Sequence, residues 1–147
     1  MRLSTILVAE DDEEDRFLIR EAFERNHLAN QLVFVNDGVA LLQYLRNSGA
    51  YGNRLKYPKP GIILLDLNMP KKDGKEVLDN LRAEPELSII PVIVLTTSRE
   101  EEDMLCAYQK GASSFISKPE DFDDLVAVMG TLKTYWFGVV ELPASRR

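Results

Sequence analysis

Five short apolar runs alternate along the chain with longer amphipathic segments, and this alternation constrains the fold more than any other feature. Three of the runs consist almost entirely of Val, Ile, Leu or Ala, as in Ile62–Leu65. Such runs are typical of parallel strands that helices cover on both faces. The pattern predicts an α/β protein with a parallel sheet. The predicted strands are Ser4–Ala9, Leu32–Asn36, Gly61–Asp66, Pro91–Thr96 and Ser114–Ser117.

The amphipathic segments predict five helices whose ends carry local signals. Ser98 and Glu101 have the spacing of a capping box at the start of the fourth helix. Gly111 follows the end of that helix, and Pro85 ends the third helix. The predicted helices are Glu13–Arg25, Gly38–Arg46, Gly74–Ala83, Glu100–Lys110 and Phe122–Phe137.

Length and composition favour one domain over residues 1–147, because a chain of this size buries enough surface for a single core. The net charge of -6 argues against nucleic-acid binding, which requires clustered Lys and Arg. The lone cysteine, Cys106, excludes an internal disulfide. The sequence has no secretory signal and no apolar stretch long enough to cross a bilayer. We therefore expect a cytoplasmic protein that binds neither nucleic acid nor membranes.

Polar side chains lie at the ends of four of the predicted strands or directly after them, at the edge where an open parallel sheet binds its ligands. Carboxylates that meet at such an edge repel one another, and a hard cation such as Mg²⁺ relieves that repulsion. A carboxylate oxygen then remains free to attack phosphorus, while a lysine and a hydroxyl stabilise the charge on the transferred group. The residues concerned are Glu10, Asp11, Asp66, Thr96 and Lys118.

This order of residues resembles the receiver domain of two-component response regulators over nearly the whole chain. The resemblance implies a flavodoxin-like (βα)5 fold, a doubly wound parallel sheet with strand order 2-1-3-4-5. It implies that Asp11, Asp66 and the backbone carbonyl of Asn68 bind Mg²⁺, with Glu10 acting through water. The other implied roles are phosphoacceptor for Asp66, switch hydroxyl for Thr96, switch aromatic for Phe115, phosphoryl-binding lysine for Lys118, and a cis peptide bond before Pro119.

The resemblance implies a switch and not an enzyme. A sensor histidine kinase would present a phosphohistidine, and Asp66 would accept the phosphoryl group with help from Mg²⁺ and lose it slowly. Thr96 would then move towards that group, and Phe115 would fill the space that Thr96 leaves. With no output domain expected, the signal would pass through protein contacts. A receiver-like binding module that works without phosphorylation is the alternative.

The long connection from Asn47 to Gly61 and the C-terminal segment from about residue 134 resemble a narrower group. These are single-domain receivers that serve bacterial and cyanobacterial phytochrome histidine kinases. That resemblance implies a homodimer through the fourth helix, fifth strand, fifth helix and tail. The alternative is that the apolar tail folds back over its own sheet. The candidate dimer contacts are Tyr135, Trp136, Phe137, Val139 and Leu142.

Two other classes of α/β protein share part of this pattern. A magnesium-dependent phosphohydrolase with an aspartate nucleophile needs a second carboxylate two residues later, where this chain has Asn68. A flavodoxin-like redox carrier needs a phosphate loop rich in Ser, Thr and Gly, whereas Glu10–Asp12 would repel phosphate. Turnover of a small phosphoester would favour the first class, and a coloured purified protein the second.

Overall fold

The computed structural model describes residues 3–143, in which five parallel strands form one sheet in the order β2-β1-β3-β4-β5. This confirms the predicted fold class and strand order. Each strand lies within one residue of its predicted bounds at either end. The strands are β1 (Thr5–Ala9), β2 (Leu32–Val35), β3 (Pro60–Leu65), β4 (Val92–Thr96) and β5 (Ser114–Ser117).

Helices join the strands, and the five predicted helices are all present. One helix was missed: Pro85 ends α3 as expected, but it also begins the short helix α4, because the first turn of a helix does not need the N–H that proline lacks. Within residues 3–143, no helix is both long enough and apolar enough to cross a membrane. The helices are α1 (Glu13–Arg25), α2 (Gly38–Leu45), α3 (Gly74–Ala83), α4 (Pro85–Ser88), α5 (Glu101–Gln109) and α6 (Phe122–Gly138), with a 3₁₀ turn at Gly49–Tyr51.

The predicted capping box at the start of α5 was wrong. Glu100 is the N-cap, and its side chain makes no capping hydrogen bond. Ser98 is engaged elsewhere: its hydroxyl donates to Asp103 at 2.7 Å and accepts from the Glu100 N–H at 3.3 Å. The prediction for the other end of α5 is confirmed, since Gly111 has φ +101° and its N–H donates to the Tyr108 carbonyl.

The sheet separates two apolar layers, because successive side chains of a strand point to opposite faces. Leu7, Ala9, Ile63 and Leu65 pack towards α2 and α3, and their neighbours in β1 and β3 pack towards α1 and α6. All residues of β1 and β3 from Ile6 to Ala9 and from Ile62 to Leu65 are at most 1% exposed. Charged side chains therefore lie beyond the ends of these two strands.

The long connection before β3 is ordered by an arginine and three tyrosines. The Arg54 guanidinium donates to the carbonyls of Tyr44, Leu45 and Tyr57 at 2.8–3.2 Å. Two of these carbonyls belong to the last turn of α2, whose carbonyls have no partner within the helix. Tyr44, Tyr51 and Tyr57 pack with ring centroids 5.0–5.8 Å apart. These contacts fix the connection to the end of α2.

The C-terminal tail packs partly on the chain's own core, as the alternative prediction held. Leu142 is only 4% exposed and belongs to the layer under α1 and α6, so its prediction as a surface dimer contact was wrong. Trp136 and Phe137 are half-buried against the same layer. Tyr135 and Val139 are 50% and 68% exposed, and the Tyr135 ring meets the Trp136 ring edge-on. Residues 144–147 lie outside the described part of the tail.

Candidate functional site

The polar residues predicted for the site come together at the carboxyl edge of the sheet. Glu10 follows β1 and Asp66 follows β3, and these adjacent strands flank the point where the strand order reverses. Thr96 ends β4 and Lys118 follows β5. All four are at most 9% exposed, although buried charged groups are rare unless they are paired. The carboxyl edge of the sheet is therefore a buried polar site.

Lys118 is the centre of that site. Its ammonium contacts Glu10 Oε1, lies 2.9 Å from Asp15 Oδ2 and lies 3.5 Å from Asp66 Oδ2. Its backbone N–H donates to the Thr96 carbonyl at 2.7 Å, so the end of β5 is attached to the end of β4. A buried cation with these partners can balance additional negative charge that develops at Asp66.

Burial and ion pairing shift the pKa values of Glu10 and Lys118 in opposite directions. Burial raises the pKa of Glu10 to about 7, although the hydrogen bond and charge of Lys118 act to lower it. Burial would lower the pKa of Lys118. The hydrogen bond to Glu10 and its charge, with smaller effects of Asp15 and Asp66, outweigh burial and hold that pKa above its usual value. Lys118 is therefore positively charged at neutral pH.

Three carboxylates form a group with the donor chemistry of a divalent metal site. Glu10, Asp11 and Asp66 each offer an oxygen, and these oxygens lie within 4.8 Å of one another. An all-oxygen set suits a hard cation. Asp11 is exposed whereas the other two are buried, so the group is open to solvent on one side. Asn68 is also exposed, and its N–H donates to Asp66 Oδ1 at 3.3 Å.

Thr96 and Phe115, the two predicted switch residues, lie on the neighbouring strands β4 and β5. The Thr96 side chain is fully buried, and its hydroxyl oxygen accepts from the Ser98 N–H at 3.3 Å. Phe115 is half-buried against the apolar layer on the α2 and α3 side of the sheet. The Phe115 N–H donates to the Tyr108 hydroxyl at 3.1 Å, which connects β5 to α5.

The predicted cis bond before Pro119 was wrong. No peptide bond within residues 3–143 is cis. The backbone N–H of the preceding residue, Lys118, donates to the Thr96 carbonyl. The Lys118 carbonyl accepts from the Arg99 guanidinium at 3.1 Å. These hydrogen bonds form with the trans bond, which is also the intrinsically preferred isomer.

Asp15 is a site residue that sequence reasoning missed. Its sequence position suggested only favourable charge in the first turn of α1. The N-cap Asp12 accepts from the Asp15 N–H at 2.9 Å, which places Asp15 at the third helical position. Because helical side chains point towards the N-terminus, a carboxylate there points back to the end of β1. The spacing from the strand end was the signal that could have identified it.

The comparisons with known proteins agree with this geometry. The sequence model of one protein family, the response regulator receiver domain, matches residues 6–129. The chain belongs to the response regulator receiver family. The receiver is 37% identical over 140 residues to response regulator Rcp1 of Synechocystis sp., a match that covers 95% of the receiver and 93% of Rcp1. It is therefore a response regulator of two-component signal transduction, as predicted.

Solved structures extend the similarity to the three-dimensional fold. The Mn²⁺-bound form of Rcp1 has a TM-score of 0.86 at 35% identity, covering 96% of the receiver and 99% of that chain. The phosphorylated cyanobacterial phytochrome response regulator RcpA has a TM-score of 0.89 at 36% identity, covering 97% and 99%. The flavodoxin-like fold and the resemblance to single-domain phytochrome response regulators are thus confirmed.

Proposed function

We propose that Asp66 accepts a phosphoryl group from a sensor histidine kinase and that the receiver then signals by protein contact. The observation that carries this proposal is the position of Asp66 at the carboxyl edge of the sheet. There its carboxylate lies 3.5 Å from the Lys118 ammonium and offers an oxygen within 4.8 Å of oxygens of Glu10 and Asp11. A nucleophile close to both a cation and a metal-binding group is suited to phosphoryl transfer.

In the proposed step, an Asp66 oxygen attacks the phosphorus of a phosphohistidine. The new P–O bond forms as the P–N bond breaks, and the imidazole leaves with the electron pair and takes a proton. Lys118 stabilises the negative charge of the phosphoryl oxygens because its ammonium is already held at the site. The same chemistry accounts for self-phosphorylation from small donors, and slow hydrolysis of the acyl phosphate returns the resting state.

We propose that Mg²⁺ is the ion, bound by Asp11, Asp66 and the Asn68 carbonyl, with Glu10 acting through water. Mg²⁺ binds through one or two carboxylates and phosphate oxygens. When bound, it supplies positive charge to the phosphoryl oxygens. The chain's oxygen donors fit such an ion.

The proposed switch links Asp66 to a distant surface through Thr96. The Thr96 hydroxyl moves to the phosphoryl group, and Phe115 moves into the space that it leaves. Both residues are connected to α5, through Ser98 and through Tyr108 respectively. Movement at either residue therefore changes how α5 and β5 present their surface.

The proposed partner is a histidine kinase of the phytochrome type, because the receiver resembles RcpA along almost its whole length. The proposed homodimer uses α5, β5, α6 and the exposed part of the tail. Leu105 and Tyr108 of α5 and Tyr135 and Val139 near the end of α6 are 46–68% exposed. Exposed apolar groups of this size are suited to an interface. Family membership also favours action in the cytoplasm, which cell fractionation tests.

Intact mass after incubation with acetyl phosphate and magnesium tests the proposal. We expect one phosphoryl adduct on the wild type and none on Asp66→Asn, which keeps the shape of the side chain but replaces the nucleophilic carboxylate with a neutral amide. Size exclusion of the same samples shows whether the adduct changes the oligomeric state. A wild type that gains no adduct from acetyl phosphate or a phytochrome kinase would favour the phosphorylation-independent binding module.

A further inference from the structure

The Lys118 ammonium has three N–H donors, and three carboxylates surround it. They are those of Glu10, Asp15 and Asp66. A phosphoryl oxygen on Asp66 also requires this ammonium as its partner. The phosphoryl oxygen can accept a hydrogen bond from the ammonium only if one of the existing contacts weakens. The partners of Lys118 therefore control how readily the ammonium binds the phosphoryl group.

The three contacts are unequal in length. Asp15 Oδ2 lies 2.9 Å from the Lys118 nitrogen, within the usual range for a charge-assisted hydrogen bond, whereas Asp66 Oδ2 lies at 3.5 Å, outside it. Glu10 contacts the same nitrogen from the buried side. The ammonium is therefore held towards Glu10 and Asp15, and it makes its longest contact with the phosphoacceptor.

Asp15 differs from the other two carboxylates in its surroundings. It does not belong to the group of Glu10, Asp11 and Asp66 whose oxygens could share a metal ion. Its side chain is 32% exposed, and its backbone is held by the Asp12 cap at the start of α1. Its attraction for Lys118 therefore comes from a fixed helix turn outside the acidic group.

We infer that Asp15 is a positioning residue that holds Lys118 away from Asp66 in the resting receiver and so lowers the affinity for a phosphoryl group. This inference rests on the proposed phosphorylation of Asp66. Asp15 acts through Lys118, whose ammonium comes closer to the phosphoryl oxygens when its 2.9 Å contact with Asp15 lengthens. The first turn of α1 thereby sets the balance between the resting and phosphorylated states.

Titration with beryllofluoride, a mimic of the phosphoryl group on aspartate, tests the inference at saturating magnesium. Asp15→Asn keeps the side-chain shape and a hydrogen-bond acceptor but removes the charge. We expect it to bind beryllofluoride about fivefold more tightly than the wild type, the effect of a partly exposed ion pair. Asp15→Glu keeps a carboxylate and should restore affinity towards the wild-type value.

Glu14→Gln is the matched control, because it removes the same charge from the same helix turn and Glu14 is not among the described partners of Lys118. We expect it to change beryllofluoride affinity less than about twofold, because solvent and salt screen exposed charges.

The outcomes separate the inference from the proposed function. A wild type that binds no beryllofluoride and gains no phosphoryl adduct would overturn the proposed function itself. A wild type that binds, with Asp15→Asn equal to Glu14→Gln or weaker than the wild type, would overturn the role of Asp15 alone.

Discussion

The carboxyl edge of the sheet and the surface of α5, β5 and α6 are built in opposite ways. The edge buries charged groups and holds each with several partners, as around Lys118. The surface exposes large apolar side chains, among them Leu105, Tyr108 and Tyr135. The proposed chemistry at Asp66 requires fixed geometry, whereas the proposed change of partner requires a surface that is weakly constrained. The difference indicates that the two regions tolerate substitution very differently.

The largest expected effect follows removal of the central cation. Lys118→Ala leaves Glu10 and Asp66 buried without their shared partner, and breaking a buried ion pair costs about 3–5 kcal/mol. We expect urea denaturation at pH 7 to show a loss of that order. Tyr135→Ala on the exposed surface should change the free energy of unfolding by about 0.5 kcal/mol or less. Equal losses in the two variants would contradict the contrast between the regions.

A smaller loss of stability is expected at Gly74, where two segments of backbone approach closely beside Asp66. A Cβ at Gly74 would lie 2.6 Å from the Asp66 carbonyl oxygen and 2.7 Å from the Leu67 Cα, so the backbone must shift. We expect Gly74→Ala to cost about 1–3 kcal/mol and to slow phosphorylation by acetyl phosphate. Urea denaturation and intact mass measure the two effects.

Gly138→Ala is the control for that substitution. Gly138 also lies in a helix, but a Cβ there would have no heavy atom within 4 Å among the described residues. The change should be neutral or slightly stabilising, because glycine is a poor helix residue. A Gly74→Ala variant with unchanged stability and phosphorylation rate would show that the loop around Asp66 is less constrained than the geometry indicates.

The smallest effect concerns the ion pair that connects α3 with α5. Hydrogen bonds from Lys75 and then Ser98 hold the pKa of Asp103 below its ordinary value of 3.8. A lowered folded-state pKa stabilises the fold above the unfolded pKa, and this contribution is lost as pH falls through the folded value. We expect Asp103→Asn to be less stable than the wild type at pH 6, with a difference that shrinks below pH about 4.

Urea midpoints at pH 6 and pH 3 measure this difference. Lys75→Met should lose the same contribution, and the double variant completes a cycle that isolates the pair. Both side chains are partly exposed, so the coupling should be modest and should decrease with salt. A stability difference that stays constant from pH 6 to pH 3 would show that Asp103 acts through something other than its charge.

The sheet and its order could be predicted because the signals are redundant. Apolar runs such as Ile62–Leu65 mark strands that are buried on both faces, and the polar residues after them lie at one edge in any sheet of this order. Asp66, Thr96 and Lys118 therefore came together as predicted.

The failures came from side-chain contacts that local sequence patterns do not indicate. Ser98 has capping-box spacing, but its hydroxyl bonds to Asp103 while α5 begins later. Asp15 has the local character of a helix-start charge, and its contact with Lys118 spans more than a hundred residues. Leu142 was predicted as a dimer contact because it belongs to an apolar tail beyond the last predicted helix, but it packs on the chain's own core.

Trp136 gives the receiver a spectroscopic label of its own. It is the one tryptophan in the sequence, and its ring stands 5.2 Å from that of Tyr135, centroid to centroid. Indole fluorescence depends on the polarity around the ring, so covering or uncovering this part of α6 should shift the emission. Trp136 lies in α6, far along the chain from Asp66, so its emission reports on the surface and intact mass reports on Asp66. Recorded on one sample, the two measurements show whether phosphorylation of Asp66 is coupled to a change at the surface of α6.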